Sequence, residues 1–238
     1  DKDYTIYTET ESSPYELVVN MKSGKIYFVE QKIRLGFFSA DLRTHSVAKF
    51  IEETLKILME QKALENASKI VAVSEFSAQA IQEMYSIDTH KVIYNGIDTN
   101  VFSPDSSVET IDQSIFYFGT LSDAKGVHTL AKIFNEVVKL HPKASLHIIG
   151  KGKAYWNNLY ENILSPDARE QTVYYGAKQL NELPKLLRKA NLICFPTKGE
   201  NFPFSFLEAM ALEKLVIASN IPVTKEIIEH RKTGFIAN

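Results

Sequence analysis

From Ser114 onward the apolar positions of this chain change rhythm in a regular way. Ser114–Phe118 is a short apolar and aromatic run ended by Gly119, the pattern of a strand buried on both faces. Over 126–140, Val127, Leu130, Ile133, Phe134, Val137 and Val138 recur at helical spacing, and His141-Pro142 closes the segment. The alternation continues with a strand at 145–149, a turn at Gly150-Lys151-Gly152 and a helix through Leu164. A strand at 172–175, a helix at 181–189 and a strand at 192–195 follow. A helix from Pro203 to Leu212, a strand at 215–218, a helix at 224–229 and the short run Gly234-Phe235-Ile236 complete the pattern. Strands that alternate with helices at this spacing pair in parallel, so the pattern predicts a doubly wound α/β sheet.

The preceding part is less regular. Val47, Phe50, Ile51, Leu55, Ile57, Leu58 and Leu64 give residues 46–66 the apolar side of a long helix. Residues 69–73 read as a strand, and Ser74 suits the N-cap of a helix running to Met84. A short strand at 92–94 ends in the turn pair Asn95-Gly96. Residues 103–113 have linker composition, which predicts two domains, 1–108 and 109–238. Residues 1–32 yield no assignable element.

Composition narrows the class. The chain has 238 residues, room for one large domain or two ordinary α/β domains. With 45% hydrophobic and 24% charged residues it is globular in type, and a net charge of −2 gives no whole-chain basic field for nucleic acid or an anionic membrane. No apolar run approaches the ~20 residues of a membrane span, and the N-terminus lacks a signal-peptide pattern. The single cysteine, Cys194, excludes an internal disulfide and reads as a small buried hydrophobe within an apolar run. These features predict a cytoplasmic setting. Both ends read as cut, since the chain opens at Asp1 and stops at Asn238 directly after a strand.

Doubly wound sheets bind ligands at the carboxyl ends of their strands, so the loops after the strands carry the candidate chemistry. In Gly119-Thr-Leu-Ser-Asp-Ala-Lys125-Gly126, glycine permits close backbone approach, the helix start offers free amides to phosphate, and Lys125 adds a mobile positive charge. A tight turn with a solvent-facing lysine fits the same residues, and no Walker pattern is present. Gly150-Lys151-Gly152 lacks the third glycine of a dinucleotide fingerprint and reads as a turn.

The second candidate runs from Phe195 to Ala211. Glu200 lies beside Gly199 in a loop after a buried strand, Pro203 suits the first helical position, and Glu208 falls one turn further on the face of Phe204 and Ser205. Helical side chains lean toward the N-terminus, so the two carboxylates converge at a helix start. Carboxylates accept hydrogen bonds from vicinal hydroxyls and helix amides suit a diphosphate. The residues equally suit a bland arrangement in which Glu200 caps its own helix and Glu208 is solvated. Asn95-Gly-Ile-Asp98 reads as an ordinary turn. Asp41, Arg43 and His45 cluster after the apolar run 35–38, where a surface loop competes with a base or sugar ligand at His45.

In order along the chain these segments resemble the retaining glycosyltransferases of GT-B fold, in the large family 4 (glycosyl transferases group 1). The resemblance rests on Ala-Val-Ser-Glu-Phe-Ser over 72–77, on Tyr94-Asn-Gly-Ile-Asp98 with Phe102 and Pro104, and on Phe118 to Gly126. It extends through the Glu–seven residues–Glu motif of Glu200 and Glu208, Val216 to Ser219, Glu226 and Gly234-Phe235. Thr120 stands where the family usually has an arginine, and Pro203 departs from the commoner Gly-Phe-Gly form of its loop. The family's N-terminal glycine-rich loop and its last crossing helix are not recognisable.

The resemblance implies two Rossmann-like domains. Residues 1–108 would be a partial acceptor-side domain, and 109–238 the donor-binding domain. It implies transfer of a hexose from a UDP- or GDP-sugar to an acceptor hydroxyl, with retained configuration and no cofactor or essential metal. Glu200 and Lys125 would be catalytic. Gly119, Thr120, Lys125, Tyr175, Gly176, Phe202, Phe204, Ser205 and Glu208 would bind the donor, and His45 would lie on the acceptor side. The acceptor would be a saccharide or a lipid-linked molecule, in polysaccharide or glycolipid synthesis at the inner face of a membrane. A GT-B epimerase, a starch-synthase relative and a non-catalytic nucleotide-sugar-binding fragment are the alternatives.

Overall fold

The structure, a computed structural model, describes residues 2–10, 13–22, 25–28 and 55–238. It divides into two compact units, Asp1–Ala67 and Ser68–Asn238. In the first unit β1 (Lys2–Thr10), β2 (Ser13–Lys22) and β3 (Lys25–Phe28) form an antiparallel sheet in that order, and α1 covers 55–66. Sequence pattern left this sheet unassigned. The expected helix over 46–66 is described only from residue 55, and Asp41, Arg43 and His45 lie outside the described residues.

The second unit opens with a parallel pair, β4 (Val71–Ala72) and β5 (Lys91–Val92), joined through α2 (Glu75–Tyr85). Ser74 caps α2 as its sequence predicts, its hydroxyl accepting from the Ser77 amide at 2.9 Å. The main sheet contains β6 (Ser114–Phe118), β7 (Ser145–Ile149), β8 (Thr172–Tyr174), β9 (Leu192–Phe195), β10 (Leu215–Ser219) and β11 (Phe235–Ala237). Between them run α3 (Val127–Leu140), α4 (Lys153–Asn162), α5 (Pro166–Glu170), α6 (Leu183–Leu187), α7 (Phe204–Ala211) and α8 (Thr224–Ile227).

All pairings in this sheet are parallel, and the spatial order is β11-β10-β9-β6-β7-β8. The chain therefore starts at the centre on β6, steps outward to β8, then returns to β9 on the other side of β6. That reversal makes the β6–β9 boundary a topological switch point, where α/β sheets open a crevice.

The strands are apolar because both faces are covered. Along β6, Phe116 and Phe118 enter one core with Ile193, Phe195 and Phe206, while Tyr117 enters the other with Val127, Leu130 and Phe134. Phe116, Phe134 and Phe206 are fully enclosed, each contributing roughly 2–3 kcal/mol over an exposed ring. The segment over 102–111 is held to residues of its own unit. Phe102 is buried in the first core, the Ile111 amide donates to the Lys189 carbonyl, and Arg188 Nε donates to the Ser103 carbonyl. Helix α5 is an addition to the sequence reading, built from Ser165 as N-cap and Pro166 in the first turn. No helix among the described residues is long and apolar enough to cross a membrane.

Candidate functional site

The loops after β6 and β9 flank the switch point and are interlocked there. A Cβ on Gly126 would meet the Pro196 carbonyl oxygen at 1.8 Å, and φ at Gly126 is +69°, so only glycine lets the two loops meet this closely. The Lys198 amide donates to the Ala124 carbonyl at 2.9 Å, closing the same junction. Gly150 is a packing turn, as its sequence suggests: a Cβ there would lie 1.7 Å from the Gly119 oxygen.

The junction brings two predicted residues into direct contact. Lys125 Nζ lies 2.5 Å from Glu200 Oε1, and the hydroxyl of buried Thr197 lies 3.2 Å from the same oxygen. Lys125 is about a third exposed and Glu200 much less so, at 36% and 15% of their side-chain surface. A hollow of about 200 Å³ opens beside this pair. Gly119, Thr120, Lys125, Glu200 and Ser205 line it, with Tyr117, Phe118, Phe195, Thr197 and Phe206.

Helix α7 starts at its edge. Pro203 is the N-cap, with an extended ψ of 125°, and not the first helical residue that its sequence position suggested. With helical geometry beginning at Phe204, the proline removes no amide from the first turn. No side chain caps this start, so the amides there retain their capacity for an anion. Glu208 follows in the second turn, half-buried, its carboxylate without a hydrogen-bond partner among the described residues. Burial holds its pKa above the usual carboxylate range.

The sequence model of the family named Glycosyl transferases group 1 matches residues 101–238, the greater part of the chain and the whole of this site. The chain belongs to this family. It is 27% identical over 210 residues to the protein YtcC of Bacillus subtilis, covering 79% of this chain and 51% of that one. It is 24% identical over 181 residues to the O-antigen chain mannosyltransferase RfbU of Salmonella typhimurium, covering 75% and 50%. This group 1 glycosyltransferase sequence thus spans about half the length of the curated relatives it matches. Among solved structures, Anabaena HepE in complex with UDP and glucose superposes with a TM-score of 0.64 at 22% identity, over 76% of this chain and 52% of HepE. The fold is that of the GT-B glycosyltransferases.

Other predicted residues do not line the hollow. Tyr175 and Gly176 continue past β8, where the Gly176 carbonyl accepts from the Gly150 amide at 2.9 Å. The Tyr175 hydroxyl lies 2.9 Å from Nδ1 of His147, a buried histidine stacked on Phe116, whose Nε2 is 3.0 Å from Ser145 Oγ. Burial pulls the His147 pKa down to about 4, so the ring is neutral at pH 7. Phe202 is buried with its ring on Tyr94, and Phe204 is 53% exposed.

Four residues make contacts that the sequence reading did not assign, although Thr197 lies in the second candidate segment and Asn95 and Glu226 in those that carry the resemblance. Thr197 holds Glu200, and the Tyr117 hydroxyl donates to the Thr120 carbonyl at 2.8 Å, shaping the first loop. Asn95 reaches the Phe202 carbonyl, and the Glu226 carboxylate accepts from the Glu75 and Phe76 amides. Thr197 lies two residues past β9 and was findable by position, and Tyr117 acts on the loop after its own strand; Asn95 and Glu226 join segments far apart in the chain. Among the described residues no three His, Cys, Asp or Glu side chains converge as a metal-holding group. A larger hollow, about 530 Å³, lies beside Leu215 and Phe235, and none of the residues expected to be catalytic or to bind the donor lines it.

Proposed function

We propose that this chain carries the donor site of a retaining hexosyltransferase, with 109–238 as the donor-binding domain and 1–108 as part of the acceptor side. The reaction moves a hexose from a UDP- or GDP-sugar to an acceptor hydroxyl, with retained configuration, in polysaccharide or glycolipid synthesis. The observation that carries this reading is the Lys125–Glu200 pair set at the switch point beside the uncapped start of α7. A diphosphate leaving an oxocarbenium-like sugar needs fixed positive charge where its own charge develops. Lys125 and the first amides of α7 supply it, so the chemistry calls for no essential metal. Glu200 holds sugar hydroxyls and offsets the developing positive charge, and Glu208 accepts from ribose hydroxyls.

Two names among the similar proteins support this reading: RfbU is named a mannosyltransferase, and HepE was solved with UDP and glucose. The test is calorimetry with UDP and with GDP, followed by a turnover assay on the full-length protein with EDTA present. Binding of one nucleotide, and transfer that survives EDTA with the anomeric configuration kept, is expected. Absence of binding to both nucleotides overturns the donor site, and inverted product overturns retention.

A further inference from the structure

Asn95 follows β5 in a turn whose sequence asks for nothing unusual. Its Nδ2 donates to the Phe202 carbonyl at 2.8 Å, across 107 residues of chain. That carbonyl belongs to the peptide joining Phe202 to Pro203, the N-cap of α7. On one side of this peptide lies the short loop that carries Glu200, and on the other the amides that open α7. The Tyr94 ring lies on the Phe202 ring, with centroids 4.9 Å apart and planes 27° from parallel.

The arm that presents Asn95 is itself braced. The Asn100 amide donates to Asp98 Oδ1 at 2.8 Å and the Phe102 amide to the Asp98 carbonyl at 3.0 Å. Phe102 is buried in the core that holds Phe195 and Phe206, the residues flanking the loop on either side. A second tie joins the same part of the chain to α8. There the Glu226 carboxylate takes the amides of Glu75 and Phe76 at 2.9 and 2.8 Å, satisfying the start of α2. The loop over 199–203, by contrast, has exposed residues at Gly199 and Asn201. A short loop of this kind keeps one geometry only if something outside it holds its backbone.

We propose that Asn95 is a positioning residue of the donor site. Its side chain fixes the Phe202–Pro203 peptide, and through it the Glu200 loop and the open start of α7, in the geometry that receives a nucleoside diphosphate. Asn95 does not line the hollow, so it acts through the loop and not on the ligand. The inference rests on the donor-site reading of that hollow.

The experiment compares full-length wild type with Asn95→Ala and Asn95→Asp. Asn95→Asp keeps the size of the side chain but replaces the donor by an acceptor. Amide hydrogen exchange is followed over 199–206, with α3 as an internal control, and UDP and GDP are titrated separately by calorimetry. One lost hydrogen bond predicts exchange over 199–206 about fivefold faster or more, α3 unchanged, and about three- to tenfold weaker binding of whichever nucleotide binds. Asn95→Asp should do at least as much. Should Asn95→Ala fail to fold, Asn95→Ser, too short to reach the carbonyl, replaces it. Unchanged exchange over 199–206 overturns the proposal, and so does faster exchange with unchanged nucleotide affinity, because the contact is then structural only. If wild type binds neither UDP nor GDP while the loop still responds to Asn95→Ala, the donor-site reading fails and the hold on the loop stands.

Discussion

Glu200 shares one oxygen between the Lys125 ammonium and the Thr197 hydroxyl, so a diphosphate arriving at Lys125 competes with a carboxylate already there. This sets the signs for two substitutions. Glu200→Gln frees Lys125 for phosphate and removes the charge that steadies the sugar. Turnover should fall by tenfold or more, while UDP or GDP binding tightens about two- to fivefold, the scale of a partly exposed ion pair. Glu208 has no competing partner among the described residues, so Glu208→Ala removes ligand contacts alone and should weaken nucleotide binding by about tenfold, one charge-assisted hydrogen bond. Paired calorimetry and single-turnover kinetics read both; nucleotide binding weakened by Glu200→Gln contradicts the competition. The two loops were legible because ligand-binding residues follow strands in sheets of this kind. Asn95 stands in a segment that carries the resemblance and reads as an ordinary turn, but its contact was not legible, because its partner lies 107 residues away.

At the scale of elements, the strands from β6 onward were readable because burial on both faces leaves them nearly continuous apolar runs. Helix α5 escaped because five residues are too few to show a period, although Ser165-Pro166 marked its start. The sheet β1-β2-β3 escaped for a different reason: its tyrosines, threonines and charges repeat with no clean period. How closely two loops approach is also invisible in sequence, and two glycines make the point. Gly126→Ala drives a Cβ into the Pro196 carbonyl at a left-handed φ and should cost about 2–4 kcal/mol of stability. Gly96 has nothing within 4 Å of a built Cβ, and Gly96→Ala should stay within about 0.5 kcal/mol of wild type. Urea denaturation of the two variants, side by side, tests whether the interlock of the two loops holds the fold.

For the whole molecule, local pattern predicted a parallel sheet but not its order, since neighbouring strands are chosen by crossovers that no single segment encodes. The observed order puts β6 at the centre with β7 beside it, and there one buried histidine links the core to solution pH. His147 is 4% exposed, with both ring nitrogens beside hydroxyls, and its pKa is depressed to about 4 by burial. The unfolded chain takes up a proton near pH 6.5, whereas the folded chain refuses it until about pH 4. The contribution is therefore complete above pH 6.5, is lost as pH falls through the interval between those values, and declines no further below pH 4. Carboxylates titrate at the lower end of this window, so the comparison needs a variant that lacks the imidazole. His147→Gln keeps polar atoms for Tyr175 and Ser145 but cannot charge. Its urea midpoint should lie below that of wild type at pH 7, where the ring stack on Phe116 is lost, and the difference should shrink steadily between pH 6.5 and 4.5. A difference that stays constant over that interval would mean that His147 takes its proton in the folded protein as readily as in the unfolded one.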